Sequence, residues 1–256
     1  MDERLQNASI NGNVAGLAEL MKEEEGRALL GQVTPGLCNT CLHICASYGH
    51  THFAAEVLRL RPKLASVRNK QTETPLHIAC REGKAQTARL LLESNPSLAC
   101  SALVAAGDEK GANAMMLAAR HGHVEVLKLL LSDRWLPLFR VEGSLVPSLL
   151  EAASRGHSDI VREILMVEPR ARIEGDEQGS TALHLAASNG HVHLAKELLK
   201  ISYNHNACLL RDKEGRTPLH LAAMGDLWRF CMKFFQLNRI APLLSHTTER
   251  AFFIYV

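Results

Sequence analysis

Thr217-Pro218-Leu219-His220-Leu221-Ala222 is a short motif that recurs along this chain. Near copies are Thr74-Pro75-Leu76-His77-Ile78-Ala79 and Thr181-Ala182-Leu183-His184-Leu185-Ala186. A glycine follows each copy, and glycines at this register lie 34 to 39 residues apart, at Gly12, Gly49, Gly83, Gly122, Gly156, Gly190 and Gly225. Self-similarity at such a period is typical of repeat proteins in which each repeat packs on its neighbours.

The letters of one repeat predict a pair of helices. Proline suits a first helical turn, where its missing N–H has no intrahelical partner, and the threonine before it can cap the helix. Glycine then ends the helix in a left-handed conformation. Apolar residues at three- and four-residue spacing follow, as in Ala88 and Leu90 to Leu92, and they predict a second helix that runs back antiparallel.

Polar turn sequences separate the repeats at matched positions. They are Asp108-Glu109-Lys110-Gly111, Asp176-Glu177-Gln178-Gly179 and Asp212-Lys213-Glu214-Gly215. Aspartate and glycine favour tight turns. We therefore expect projecting fingers with the form of short β-hairpins.

The whole pattern resembles the ankyrin-repeat family over residues 1–224, as about six full repeats and the start of a seventh. The resemblance implies an all-α solenoid of stacked helix pairs with short β-hairpin fingers. The endings Pro62-Lys63-Leu64 and Pro96-Ser97-Leu98, with the stretch 211–220, resemble plant ankyrin-repeat proteins that often carry a C-terminal PGG membrane domain. No PGG segment is visible in this sequence.

The register breaks after Met224, where one residue instead of two separates the alanine pair from the glycine. Residues 225–256 are expected to form a divergent closing helix and an irregular tail. We hypothesise that this ending belongs to a truncated or alternatively spliced form. The stretch from Trp228 to Arg239 mixes aromatic and basic residues, so it either completes the buried edge of the solenoid or touches a membrane surface peripherally.

Composition limits the classes of function. The 256 residues carry a net charge of +2, which gives no steering towards nucleic acid. Seven cysteines, an odd number, and a polar start without a secretory signal predict reduced thiols and a cytoplasmic setting, with nuclear or membrane-associated alternatives. We expect a monomer without a cofactor.

Histidine is frequent, but the repeat register accounts for eight of the 13. Four histidines lie three residues after a capping threonine, and they are His43, His77, His184 and His220. Four others directly follow a helix-ending glycine, and they are His50, His123, His157 and His191. The family resemblance implies that the first set bridges backbone groups of neighbouring repeats. We interpret all eight as structural.

Cys38, Cys41, Cys45 and His43 have a superficial likeness to a zinc cluster. On a helix with 3.6 residues per turn, however, His43 points about 200° away from the cysteines on either side. Structural thiols are favoured over a metal site or a redox-sensitive thiol. Because no nucleophile, base and metal set converges and no phosphate loop is present, we predict that the chain is not an enzyme.

The family resemblance places the two residues before each helix-ending glycine, and the finger tips, on a concave groove. The candidate partner-binding residues are Tyr48, Lys70, Gln71, Glu73, Arg81, Glu82, Glu109, Lys110, Arg120, His121, Arg155 and Asn189. Arginine forks suit carboxylates and phosphates, so we hypothesise that a partner protein presents an acidic or phosphorylated segment here. The alternative is that these are ordinary solvated charges.

Two further readings stay open. The leading function is a soluble interaction adaptor, and the alternative is a membrane-associated signalling or defence-related protein of the plant PGG type. The apolar stretch from Trp135 to Phe139 is either an exposed hot spot for binding or packs against its neighbours.

Overall fold

Helix pairs follow one another along the chain in the computed structural model, which describes residues 1–23, 26–94, 112–137, 145–201 and 205–224. The described residues fall into two compact units, which are divided between Ser144 and Leu145. The four helix pairs of the first unit are Glu3–Asn11 with Val14–Leu20, Cys41–Tyr48 with Thr51–Leu60, Pro75–Arg81 with Ala85–Ser94, and Ala114–His121 with Val124–Leu130. A short helix, Gly26–Leu29, and a 3₁₀ turn, Pro62–Ser66, join them.

The second unit repeats the same plan. Its helix pairs are Leu145–Arg155 with Ser158–Val167 and Ala182–Ser188 with Val192–Ile201, and the helix Pro218–Met224 follows. The 3₁₀ turns Pro169–Ile173 and His205–Cys208 lie between repeats. Within each unit, first helices pack beside first helices and second helices beside second helices. The predicted all-α fold of stacked helix pairs is confirmed.

Four of the first helices begin at a threonine that is paired with the histidine three residues later, and these threonines are Thr40, Thr74, Thr181 and Thr217. In the second repeat, the Thr40 N–H donates to Nδ1 of His43 over 3.2 Å, and the Thr40 hydroxyl lies 2.8 Å from the same nitrogen. Nδ1 therefore accepts, which leaves the ring proton on Nε2, and Nε2 donates to the carbonyl of Glu73 in the next repeat over 3.1 Å. His184 makes the equivalent bond to the carbonyl of Arg216. The same side chain caps one helix and ties two repeats together.

The first helices end at glycines against which the next repeat packs closely. Gly156 has a φ of +77°, and a β-carbon added there would lie 2.6 Å from Nδ1 of His191. Nε2 of His191 donates to the carbonyl of Ser154 over 2.9 Å. His123 is placed in the same way, with a 2.7 Å bond to the carbonyl of Arg81. The glycine thus permits both the helix ending and the approach of the histidine behind it.

Small and aliphatic side chains fill the space between the helices. Leu42, Ala46, Phe53 and Val57 of the second repeat are fully buried, and so are the alanine pairs of repeats four, five and six. Small residues let neighbouring helices approach closely, and the larger side chains fill the layer between first and second helices.

The fingers are turns without paired strands in the described part of the chain, where the single β-contact is an isolated bridge between Gly175 and Thr181. Oδ1 of Asp212 accepts the N–H groups of Glu214 and Arg216, at 3.0 and 2.8 Å. Asn69 and Asp176 do the same in their own fingers. Each of these three fingers is therefore closed by one side-chain acceptor together with two backbone bonds, such as the 2.9 Å bond from the Asp212 N–H to the Arg216 carbonyl.

Candidate functional site

The candidate residues of the first helices lie at the C-terminal ends of those helices. In the first unit they are Tyr48, Arg81, Glu82, Arg120 and His121, here called the inner row. Tyr48 has 54% of its surface exposed, and it ends a first helix whose residues 41–46 are buried. Glu82 and His121 are also exposed, whereas Arg81 and Arg120 are half-buried.

Two exposed rings of the inner row are held in place by stacking. Tyr48 stacks on His50 with ring centroids 6.0 Å apart, and His121 stacks on His123 at 6.2 Å. The supporting histidines are themselves fixed, since Nε2 of His50 donates to the carbonyl of Ile10 over 2.7 Å and His123 makes the bond already described. The faces of Tyr48 and His121 are therefore preorganised for contact.

Glu73 does not have the exposed position that we expected at a finger tip. It is 2% exposed, its carboxylate pairs with Nη1 of Arg81, and Asn69 donates to it from within the finger. Burial of a carboxylate requires such a partner. We therefore correct the assignment of Glu73 from a contact residue to a residue that holds the Arg81 guanidinium in place.

Arg81 is shared between a buried and an exposed carboxylate. Its Nε donates to Glu82 over 3.1 Å, while Nη1 faces Glu73. The pair with Glu82 lies at the surface, where ion pairs contribute about 0 to 1 kcal/mol. An acceptor group of a partner can therefore replace Glu82 at Nε of Arg81 with a small loss of free energy. Glu73 remains paired with Arg81 because its carboxylate is buried.

His121 lies in a predominantly positive neighbourhood. Partial burial lowers its pKa, and His123, Arg120 and Arg81 lower it further, while Glu82 opposes the change. Since the shift favours the neutral ring, His121 contributes a stacking and hydrogen-bonding surface at neutral pH rather than a third cation.

The finger candidates differ in accessibility. Lys70 is exposed and Gln71 is half-buried. The backbone N–H of Lys70 donates to the carbonyl of Leu37 in the preceding finger over 2.8 Å, so this finger tip has a fixed position. Glu109 and Lys110 lie outside the described residues.

Two candidates lie in the second unit at the same register. Arg155 is exposed and approaches Glu151 to 3.8 Å within its own helix. Asn189 is exposed, and its side chain donates to the carbonyl of Leu185 over 2.9 Å. Both present polar groups at the end of a first helix, as the inner row does in the first unit.

The cysteines of the second repeat have structural surroundings. Cys41 and Cys45 are fully buried, and burial raises the pKa of the Cys41 thiol to about 12 and that of Cys45 well above its usual range. His43 between them uses both ring nitrogens in backbone contacts. Protonated thiols bind zinc poorly. No group of three or more metal-ligating side chains occurs in the described ranges.

The remaining expectations concern apolar segments. Trp135 is 5% exposed, and the Arg134 guanidinium lies 5.0 Å from its ring, which favours packing over an exposed hot spot. Leu138 and Phe139 lie outside the described residues, as do the predicted closing helix and tail, 225–256. Among the helices that the structure describes, none is long and apolar enough to cross a membrane.

Residue reasoning placed Asp176 and Asp212 in turns without assigning them as the acceptors that close the fingers, and it missed Asn69. Asn69, Asp176 and Asp212 occupy one register position, five residues before the capping threonine. Two are aspartates and one is an asparagine, and this shared short polar side chain was the available signal.

Stacked helix pairs with capped starts and glycine ends define a helical repeat protein that presents residues at its helix ends. The family model described as ankyrin repeats (3 copies) matches residues 5–100, 42–135 and 149–233. The chain belongs to the ankyrin-repeat family, whose repeats form protein-interaction domains that are generally non-catalytic.

Relatives share this array within longer proteins. The chain is 29% identical over 199 residues to probable E3 ubiquitin-protein ligase XBOS32 of Oryza sativa subsp. japonica, covering 78% of this chain and 38% of the relative. It is 29% identical over 180 residues to human transient receptor potential cation channel subfamily A member 1, covering 70% of this chain and 12% of the relative. The chain thus spans well under half the length of these relatives.

Solved structures show the same fold. The ankyrin repeat domain of Bcl-3 has a TM-score of 0.67 at 20% identity, over 89% of this chain and 98% of that one. The human ASB11 ankyrin repeat domain has a TM-score of 0.66 at 22% identity, over 86% and 92%. At these identities the likeness concerns the fold.

Proposed function

We propose that this chain is an interaction adaptor and that a partner protein binds at the ends of its first helices. The observation that carries the proposal is the exposed Tyr48 ring, which is stacked on a histidine that is itself hydrogen-bonded to the preceding repeat. An exposed aromatic side chain whose motion is restricted by stacking loses less entropy when it binds a partner. Tyrosine is also enriched among residues that dominate binding energy.

The partner segment is proposed to be acidic or phosphorylated. Arg81 points one nitrogen at exposed Glu82, and an incoming phosphate or carboxylate replaces this weak surface acceptor while Glu73 stays in place. Arg120 and Arg81 both act electrostatically on His121, and Arg155 is exposed in the second unit. Arginine binds such groups through paired N–H donors.

The chain is proposed to be a monomer by itself and to act in the cytoplasm as one part of an assembly with its partner protein. Relatives in rice and human carry the matching segment as 38% and 12% of their length, which supports its role as one part of a larger machinery. Light scattering and subcellular fractionation test these two points, and a stable dimer or recovery in the membrane fraction contradicts them.

Affinity capture from native extract, compared between variants, tests the binding surface. Arg120→Glu in the first unit and Arg155→Glu in the second are expected to lose partners that the wild type captures. Arg81 is left intact, because its replacement strands the buried Glu73 carboxylate and destabilises the protein. Phosphatase treatment of the extract separates phosphorylated from acidic segments.

Matched controls keep the result specific. Arg89→Glu and Arg170→Glu change charge equally at exposed arginines outside the candidate set, one in each unit. Circular dichroism verifies that each variant keeps its helix content. Capture that is unchanged by Arg120→Glu and Arg155→Glu, or reduced as much by the controls, refutes the proposed surface.

A further inference from the structure

One register position on the second helices carries an exposed apolar residue where the other repeats carry polar ones. The position lies ten residues after the glycine that ends the first helix. Its occupants in repeats two to six are Arg59, Glu93, Ser132, Met166 and Lys200. Met166 is 70% exposed, so packing within the repeat array does not require an apolar side chain at this position. Exposed methionines are common at binding surfaces, because the flexible thioether adapts to different partners.

Met166 lines a depression between the second helices of repeats five and six. This outer groove has a volume of about 350 Å³ and is lined by Arg162, Leu165, Met166, Glu197 and Lys200. Leu165 is 6% exposed and forms the apolar floor, and Met166 stands beside it. The groove lies on the second helices, whereas the candidate residues of the proposed function lie at the ends of the first helices.

Ion pairs fix one side of the outer groove. Arg162 donates to Glu197 of the next repeat over 3.1 Å and to Asp159 of its own helix over 3.1 Å. The bridge from Arg162 to Glu197 joins the two helices, and all five lining residues lie on these helices rather than on a loop. Glu197 is also three residues before Lys200, at a spacing where glutamate and lysine commonly pair on a helix.

Lys200 is left without that pairing, since Glu197 is engaged by Arg162. No acidic side chain in the described ranges forms an ion pair with Lys200. Because Arg162 is engaged by both Glu197 and Asp159, the Lys200 ammonium is the charged group of the lining that has no ion pair among the described residues. An apolar floor beside an unpaired ammonium group calls for an occupant with an apolar side chain and a carboxylate.

We propose that the outer groove docks an acidic amphipathic helix of a partner protein. One large apolar side chain of that helix packs on Leu165 and Met166, and a carboxylate one turn away pairs with Lys200. Residues three or four apart share one face of a helix, so a single helix supplies both contacts. This second surface works independently of the inner row.

Selection from a displayed library of 16-residue helical peptides tests the proposal on the full chain. Peptides enriched by the wild type are expected to carry Asp or Glu three or four residues from Leu, Ile, Met or Phe. Their affinity is expected to fall at least about tenfold with Met166→Lys and with Lys200→Glu. Replacing the peptide carboxylate by lysine is expected to restore binding to Lys200→Glu.

Controls locate the peptide on the chain. Glu93→Lys changes charge at the same register in the third repeat, and Tyr48→Ala removes the exposed ring of the inner row, and both are expected to leave the affinity unchanged. The proposal is overturned by a library without enriched peptides, by enrichment without acidic residues, or by undiminished binding to Met166→Lys. Concentration-dependent dimerisation that Met166→Lys abolishes overturns it too, because the occupant is then a second copy of this chain.

Discussion

Histidine three residues after a capping threonine joins local and long-range structure in one side chain. His43 accepts the Thr40 N–H at Nδ1 and donates from Nε2 to the carbonyl of Glu73. Burial lowers the pKa of His43 to about 4, from an ordinary value of 6.5. Only the neutral ring can make both contacts, because protonation of Nδ1 removes the acceptor for Thr40.

This histidine gives the stability a pH dependence of known sign. Its folded pKa is depressed, so its contribution is complete above pH 6.5 and is lost as the pH falls towards 4. Between pH 7 and 5, we expect wild type to lose about 2 kcal/mol more than His43→Gln, whose amide retains an acceptor for the cap. Urea unfolding at both pH values measures the difference. Equal losses in the two proteins would show that His43 does not titrate as described.

Thr72 has a backbone conformation that suits glycine. Its φ is +61°, and the equivalent finger positions are Gly179 and Gly215, with φ of +76° and +75°. A β-branched residue in a left-handed conformation destabilises the folded state by about 1 to 2 kcal/mol. Glycine removes this strain, but its larger loss of conformational entropy on folding offsets part of the gain. We expect Thr72→Gly to stabilise the protein by about 0.5 to 1 kcal/mol.

The matched control is Thr74→Gly, two residues later. Thr74 has an extended backbone and its hydroxyl lies 2.8 Å from Nδ1 of His77, so its replacement is expected to destabilise the protein. Chemical denaturation measures both variants. A destabilising Thr72→Gly would mean that the threonine side chain contributes more than its backbone strain.

At the scale of the element, each first helix is built to end against the next repeat. Gly156 and Gly215 have nearly equal φ values of +77° and +75°. A β-carbon on Gly156 meets the His191 ring at 2.6 Å, and one on Gly215 meets nothing within 4 Å. Comparison of Gly156 with Gly215 therefore separates the cost of backbone strain, which both share, from the cost of packing against the next repeat, which Gly156 alone has.

The two alanine substitutions therefore have different expected costs. Gly215→Ala is expected to destabilise by about 1 to 2 kcal/mol, from backbone strain alone. Gly156→Ala is expected to cost about 2 to 5 kcal/mol, because displacement of His191 is added to the same strain. Unfolding of the single variants, His191→Ala and the double variant gives the coupling. Additive effects of Gly156→Ala and His191→Ala would contradict the proposed clash.

At the scale of the whole molecule, repeats contact their neighbours and stability is distributed along the chain. Phe53, in the second helix of the second repeat, is fully buried, and Phe53→Ala is expected to destabilise by about 3 to 5 kcal/mol. Hydrogen exchange is expected to rise in the first three repeats, while residues 182–201 keep their protection. An equal loss of protection from end to end would show that the chain unfolds as a single cooperative body.

The sequence determined the repeat register, because proline, histidine and glycine each have a local backbone or capping preference that recurs with the period. Tyr48, Glu82 and His121 lie at exposed helix ends, and their role in binding stays a prediction. Glu73 was placed wrongly, since neither its neighbours in sequence nor its finger position reveals that it is buried against Arg81.

Tertiary structure alone decided the charges and surfaces that depend on contacts between residues distant in sequence. Arg162 engages Glu197, 35 residues away, and this bridge leaves Lys200 beside exposed Met166. Helix spacing by itself favours a Glu197–Lys200 pair instead. Local preferences fix where a helix begins and ends, whereas the partner of a surface charge depends on which side chain of the adjacent repeat lies within ion-pair distance.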